Sequence, residues 1–159
     1  MCLLGSRVGK GTEEFVKVDL TYPTNFARLA KDLDAKYYGL LSSTGASSSS
    51  LLLYPRTKGQ AENAVKEVGV DMTQIMRPGL LRNRDGDARK GEKFIQWLGV
   101  GPQIEAVDMG FAMLQHAIES VKKFRETGEK FTNTMENKAI VSFVKEAKGV
   151  TTKKCFLTR

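Results

Sequence analysis

The feature that most constrains this chain is an alternation. Short apolar runs, each closed by glycine, serine or proline, are separated by stretches with helical spacing. Three runs read as buried strands: Met1–Leu4 before Gly5, Tyr37–Leu41 before Ser42, and Asp71–Arg77 before Pro78-Gly79. Phe15–Asp19 is readable as strand or helix. Thr24 is placed to cap a helix with Phe26, Leu29, Ala30 and Leu33 on one face. A serine-rich loop, Ser42–Ser50, leads to a second helix over Tyr54–Val68. Its apolar side is Ala61, Ala64, Val65 and Val68, and Pro55 sits in its first turn, where a missing N–H is harmless.

Beyond Pro78-Gly79 the spacing predicts a charged loop over Leu81–Lys90. A short helix is expected around Phe94, Ile95, Trp97 and Leu98, and a long one over Glu105–Phe124. In the long helix Val107, Phe111, Leu114, Ile118 and Val121 recur at helical steps and define the expected buried stripe, with Asp108 as its cap. Ala139–Phe143 suits a late strand or a helix start. Strand–helix alternation of this kind predicts an α/β fold with a parallel sheet and right-handed crossovers. Ligands gather at the carboxyl ends of the strands in such sheets. Gly5, Ser42 and Pro78-Gly79 all fall there and are expected to share one crevice.

Composition excludes some functions. The chain has 159 residues, enough for one core and one domain. Two cysteines near opposite ends and a single histidine, His116, argue against a disulfide scaffold or a zinc site, and for a reducing compartment. His116 and Trp97 read as packing residues. The net charge is +7, but the basic residues are scattered among acids, which suits a solvated surface better than a nucleic-acid site. No apolar run is long enough to span a membrane, and no leader pattern stands at the N-terminus. A cytoplasmic protein is the expectation.

The chemistry concentrates around Tyr54 and Lys58. Four residues apart at the start of a helix, they share a face. An ammonium beside a phenol favours the phenolate, and a tyrosine so placed can exchange a proton with a substrate oxygen. Ser42 or Ser43, at the end of the preceding strand, can hydrogen-bond the same oxygen, and a nicotinamide would supply the hydride.

Taken in order, Leu40-Leu-Ser-Ser-x-Gly-Ala46, Tyr54-x-x-x-Lys58-Gly59, Arg77-Pro-Gly-Leu-Leu81 and Glu136-Asn-Lys-Ala-Ile140 resemble the atypical short-chain dehydrogenase/reductases of the HIV Tat-interactive protein 2 oxidoreductase family. The resemblance runs from about Cys2 to Lys148. It implies an NADPH-dependent carbonyl reductase, or a regulatory protein on the same fold without turnover, with an undefined carbonyl substrate and regulatory protein partners. Tyr54 resembles the active-site tyrosine, Lys58 its partner that also holds the nicotinamide ribose, and Ser42, ahead of Ser43, the strand-end serine. Leu4, Gly5, Pro78, Gly79, Leu81 and Arg89 resemble cofactor contacts, Arg89 being suited to a phosphate.

The chain departs from the family in one respect. Such proteins open with a strand, a Gly-x-x-Gly-x-x-Gly turn and a helix whose N-terminus holds the pyrophosphate. The 159 residues contain no such turn. Gly5-x-x-x-Gly9-Lys10-Gly11 is one residue short of a phosphate loop and has glycine where Ser or Thr would bind magnesium. The expectation is therefore the C-terminal part of a Rossmann-like sheet, residues 1–148, with the N-terminal strands missing, cofactor binding impaired and a flexible tail over 149–159.

Overall fold

The structure, a computed structural model, describes residues 1–6, 11–82 and 103–156, with side chains as far as residue 149. Its centre is a three-stranded parallel sheet in the order β1-β2-β5. Strand β1 is Tyr37–Leu41, β2 is Met72–Arg77 and β5 is Phe131–Glu136. Leu40 is in register with Ile75, and Ile75 with Thr134. Short strands β3 (Leu81–Arg82) and β4 (Ile104–Glu105) form a separate parallel pair. The expected α/β class, with a parallel sheet flanked by helices, is what forms, and it is a Rossmann-like part-fold.

The first apolar run is less of a strand than expected. Only Cys2 joins the sheet, through an isolated parallel bridge to Leu40. Its N–H donates to Gly39 O at 2.7 Å, and its carbonyl accepts from Leu41 N at 3.1 Å. Those groups lie on the edge of β1 opposite β2, to which Ser42 N donates through Met76 O. Cys2 is buried while Met1, Leu3 and Leu4 are exposed. The chain leaves the sheet after one residue.

Two helical layers cover the sheet. Helix α1 (Thr12–Val16), a π-helical turn (Lys17–Thr21) and helix α2 (Tyr22–Asp32) run on without a break. Helix α3 (Leu53–Val68) packs on them. Alternation of side chains along a strand sends Tyr38, Leu40 and Ile75 to this layer, where they meet Ala27 and Val65. The opposite side receives Leu41, Met76 and Met135. There helix α4 (Ala106–Thr127) and helix α5 (Asn137–Phe156) supply Met109, Ala112, Met113, Ile140 and Val144.

Several expectations are corrected here. Thr24 caps nothing: it lies inside the continuous helix, its hydroxyl donating to Leu20 O at 2.8 Å. Phe26, Leu29 and Leu33 are exposed, and α2 buries Pro23, Thr24 and Ala27 instead. The long helix is present, but its buried face is Met109, Ala112 and Met113, about half a turn from the expected stripe. Val107 is 80% exposed, and Leu114 and Ile118 face outward with it. Asp108 is in the first turn rather than at the N-cap, which is Glu105, and pairs with Lys148 of α5. Strand β5 was not anticipated, and Ala139–Phe143 is helix. Helix α5 continues past Gly149 as far as Phe156. The expected charged loop is described only at Leu81–Arg82, which is strand; its remainder and the helix around Phe94–Leu98 lie outside the described residues.

Candidate active site

The carboxyl ends of the strands are laced together. Ser42 N donates to Met76 O at 2.8 Å and Thr44 N to Pro78 O at 2.9 Å. Thr44 Oγ1 donates to Arg77 O at 3.1 Å, and Gly79 N to Asn137 Oδ1 at 2.9 Å. The serine loop turns back over α3. A Cβ on Gly59 would stand 2.2 Å from Ser48 N and 2.4 Å from the Ser47 carbonyl carbon, both backbone. Only glycine admits so close an approach.

Helix α3 begins where the sequence placed it, with Pro55 in the first turn, and ends on left-handed Gly69. Its successive turns present Tyr54, Lys58 and Glu62 four residues apart. The first two meet a matching pair on the neighbouring helix. The Tyr54 ring stacks on Phe15 with centroids 5.8 Å apart, and Lys58 Nζ lies 2.7 Å from Asp19 Oδ1. Asp19 is 1% exposed. Its other oxygen accepts from Ser6 N at 2.7 Å and Ser6 Oγ at 2.9 Å. Tyr54 is 39% exposed, and its hydroxyl makes no hydrogen bond among the described residues.

Glu62 continues the ladder. It is buried, accepts from the Ser42 hydroxyl, and takes a bidentate pair from Arg77, Nε at 2.9 Å and Nη2 at 2.6 Å. Arg77 also reaches Glu136 through Nη1 at 2.8 Å. These hydrogen bonds, above all with Glu62, hold the guanidinium above its ordinary pKa. The sequence had marked Arg77, Glu136 and Asn137 as motif residues without a role; they tie β2, β5 and α5 together beside the site.

The structure thus brings Ser42, Tyr54 and Lys58 to one face of α3, but each on its own partner. Ser43 is half-buried, and its hydroxyl bonds only the neighbouring Thr44 O at 3.3 Å. Gly5 lies next to the ion pair: a Cβ there would sit 3.6 Å from Asp19 Oδ1 and 3.9 Å from Lys58 Nζ. Leu4 is exposed, Pro78 is buried, Gly79 is half-buried, and Leu81 packs at the rim of the α4–α5 core. Arg89 lies outside the described residues. Asp19 and Glu62 are the residues that sequence reasoning missed. The usable signal for Glu62 was its spacing from Tyr54 and Lys58; Asp19 had none beyond its four-residue step from Phe15.

A strand-end serine, a Tyr-x-x-x-Lys helix and a parallel Rossmann-like sheet define the class of NAD(P)-binding, short-chain dehydrogenase/reductase-like proteins. Comparison with known proteins gives the family. The chain is 34% identical over 157 residues to Protein HTATIP2 of Rattus norvegicus, covering 93% of this chain and 62% of the rat protein. It is 38% identical over 88 residues to "Protein fmp52, mitochondrial" of Aspergillus clavatus, and 42% over 82 residues to that of Aspergillus niger, covering 38% and 35% of those proteins. The chain belongs to the HTATIP2-like atypical short-chain dehydrogenase/reductase family. No protein-family model matches it. The chain spans less than two thirds of the length of these relatives. The mitochondrial names of the fmp52 relatives overturn the expectation of a cytoplasmic protein. Among the described residues, no helix is long and apolar enough to cross a membrane.

Proposed function

We propose that this chain carries the proton-transfer part of an NADPH-dependent carbonyl reductase site. The observation behind this reading is the shared face of α3, on which Tyr54 and Lys58 follow one another by one helical turn below the Ser42 strand end. Tyr54 is the acid that protonates the substrate oxygen, Lys58 its cationic neighbour, and Ser42 or Ser43 the hydrogen-bonding hydroxyl. A bound nicotinamide would supply the hydride. The residues present suit its ribose end: beside the ammonium, bare Gly5 leaves a cradle that a Cβ would fill. Gly5, Lys58, Pro78 and Gly79 would border the cofactor there, with Leu4, Leu81 and Arg89 further out. No Gly-x-x-Gly-x-x-Gly turn stands in the 159 residues to take the pyrophosphate, so weak affinity is expected.

The test is carbonyl-dependent NADPH oxidation by this chain at high cofactor concentration, with a reactive aldehyde. Tyr54→Phe is expected to cut turnover by a factor on the order of 10²–10⁴ while leaving cofactor affinity nearly unchanged. Equal turnover in the variant would refute the assignment. A second reading is a regulatory protein that binds partners without turnover. It draws on the separate partners of the three side chains: Phe15 for Tyr54, Asp19 for Lys58 and Glu62 for Ser42. Micromolar NADPH binding without any turnover would favour it. The fmp52 names extend the proposal to a mitochondrial location, which cell fractionation tests.

A further inference from the structure

We propose that Asp19 is the positioning residue of this site, fixing the Lys58 ammonium against the Leu4–Ser6 segment. The inference rests on the reductase reading for its catalytic consequence but not for its geometry.

A carboxylate in the middle of a helix normally faces water. Asp19 is 1% exposed and sits in the π-helical turn Lys17–Thr21. Single-turn π segments inside α-helices occur often at functional sites. Both of its oxygens are used, one by Lys58 Nζ and the other by the Ser6 N–H and hydroxyl. One side chain therefore joins three parts of the chain: the segment leaving the Cys2 bridge, the π turn, and the second turn of α3. Gly5 stands within van der Waals reach of both charges. Burying an ion pair costs desolvation free energy that an apolar pair would not. The fold needs no pair here for packing, because Phe15 and Tyr54 already join the two helices one turn earlier. The pair instead does what an apolar contact cannot: it holds the long lysine stem in one rotamer, with its nitrogen beside the Gly5 backbone. Catalytic groups misplaced by about 1 Å lose large factors in rate.

Two measurements on the full chain separate this proposal from the reductase reading. The first needs no turnover. A lysine ammonium buried on a carboxylate gives a slowly exchanging side-chain signal in nitrogen-labelled protein, identified as Lys58 by its loss in Lys58→Gln. It is expected to vanish in Asp19→Asn and persist in Asp19→Glu; persistence in Asp19→Asn would overturn the proposal. The second is turnover with NADPH and the test aldehyde. Asp19→Asn is expected to lower kcat by about tenfold with KM changed less than about twofold, and Asp19→Glu to restore part of the loss. An Asp19→Asn chain with wild-type kcat would overturn the catalytic consequence. A wild-type chain without turnover would sink the reductase reading, and the ammonium signal would still decide the present one. Should Asp19→Asn fail to fold, the Asp19→Asn/Lys58→Gln double variant is the control. With no charge left buried alone, it is expected to resist urea better than the summed single losses allow. Strict additivity would overturn the pairing.

Discussion

The two sides of the central sheet are built from different materials. Against α2 and α3 the buried set includes Asp19, Thr57, Lys58, Glu62 and Thr73, threaded among Phe15, Ala27, Leu40 and Val65. Against α4 and α5 it is Met76, Met109, Met113, Ile140 and Val144, with Met135 at the rim. A methionine-rich core is unbranched and adaptable, and its members can trade places with similar volumes at little cost. A buried polar ladder has no such latitude, because each group removed leaves a partner without its counterpart. The first side is specified by pairing and the second by volume. The candidate site lies entirely on the first.

The sharpest way to break that comparison is Glu62→Gln, which keeps volume and shape. It leaves the Arg77 fork without its buried counter-charge, though Glu136 remains. Loss of about 3 kcal/mol in urea unfolding is expected. A loss near zero would mean the ladder is not what specifies this side. Next comes Gly59→Ala, whose added carbon must displace the Ser47–Ser48 backbone. A cost of about 1–3 kcal/mol is expected, with weaker protection of the serine loop in hydrogen exchange. On the other side Met113→Leu should cost less than about 1.5 kcal/mol. A larger loss would show that the apolar side too is specified residue by residue.

The smallest effect concerns pH. His116 lies on α4 among Tyr37, Ser120, Phe131 and Phe143, with its Nδ1 3.1 Å from the Tyr37 hydroxyl. Burial lowers its pKa from the ordinary 6.5, against a weaker upward pull from Glu119. The unfolded chain therefore takes up the proton first as pH falls. The stability contributed by the neutral ring is complete above pH 6.5 and drains below it. Urea midpoints measured across that range should fall toward acid in the wild type and fall less in His116→Phe. Equal slopes would remove His116 as the cause.

What could be read in advance divides along the same line. Strands β1 and β2 and helix α3 were legible because their local patterns agree with their burial. Helix α4 was legible as a helix but not in its orientation. Its outer stripe of Val107, Leu114, Ile118 and Val121 is more regular than the buried Met109, Ala112 and Met113. Local spacing cannot tell which of two apolar stripes meets the sheet. Strand β5 was hidden because an edge strand leaves Thr132 and Asn133 in solvent, so its sequence has little apolar alternation. Of the site, Tyr54 and Lys58 follow from helical spacing alone. Asp19 and Glu62 are buried only because Lys58, Arg77 and Ser42 come to them from other elements, and no window along the chain contains that information.

The π turn at Lys17–Thr21 also works as a phase shifter. Its hydrogen bonds reach one residue further than those of an α-helix. Removing one residue there would restore an ordinary helix but swing everything beyond it by about 100° relative to everything before. Phe15 could then keep its place on Tyr54 only if Ala27 left Tyr38 and Leu40, or the reverse. Insertions and deletions elsewhere in the α1–α2 rod could be absorbed at its ends. At this turn a single residue couples the angular setting of the ladder to that of the core, so the length of the turn is inherited together with both or lost with both.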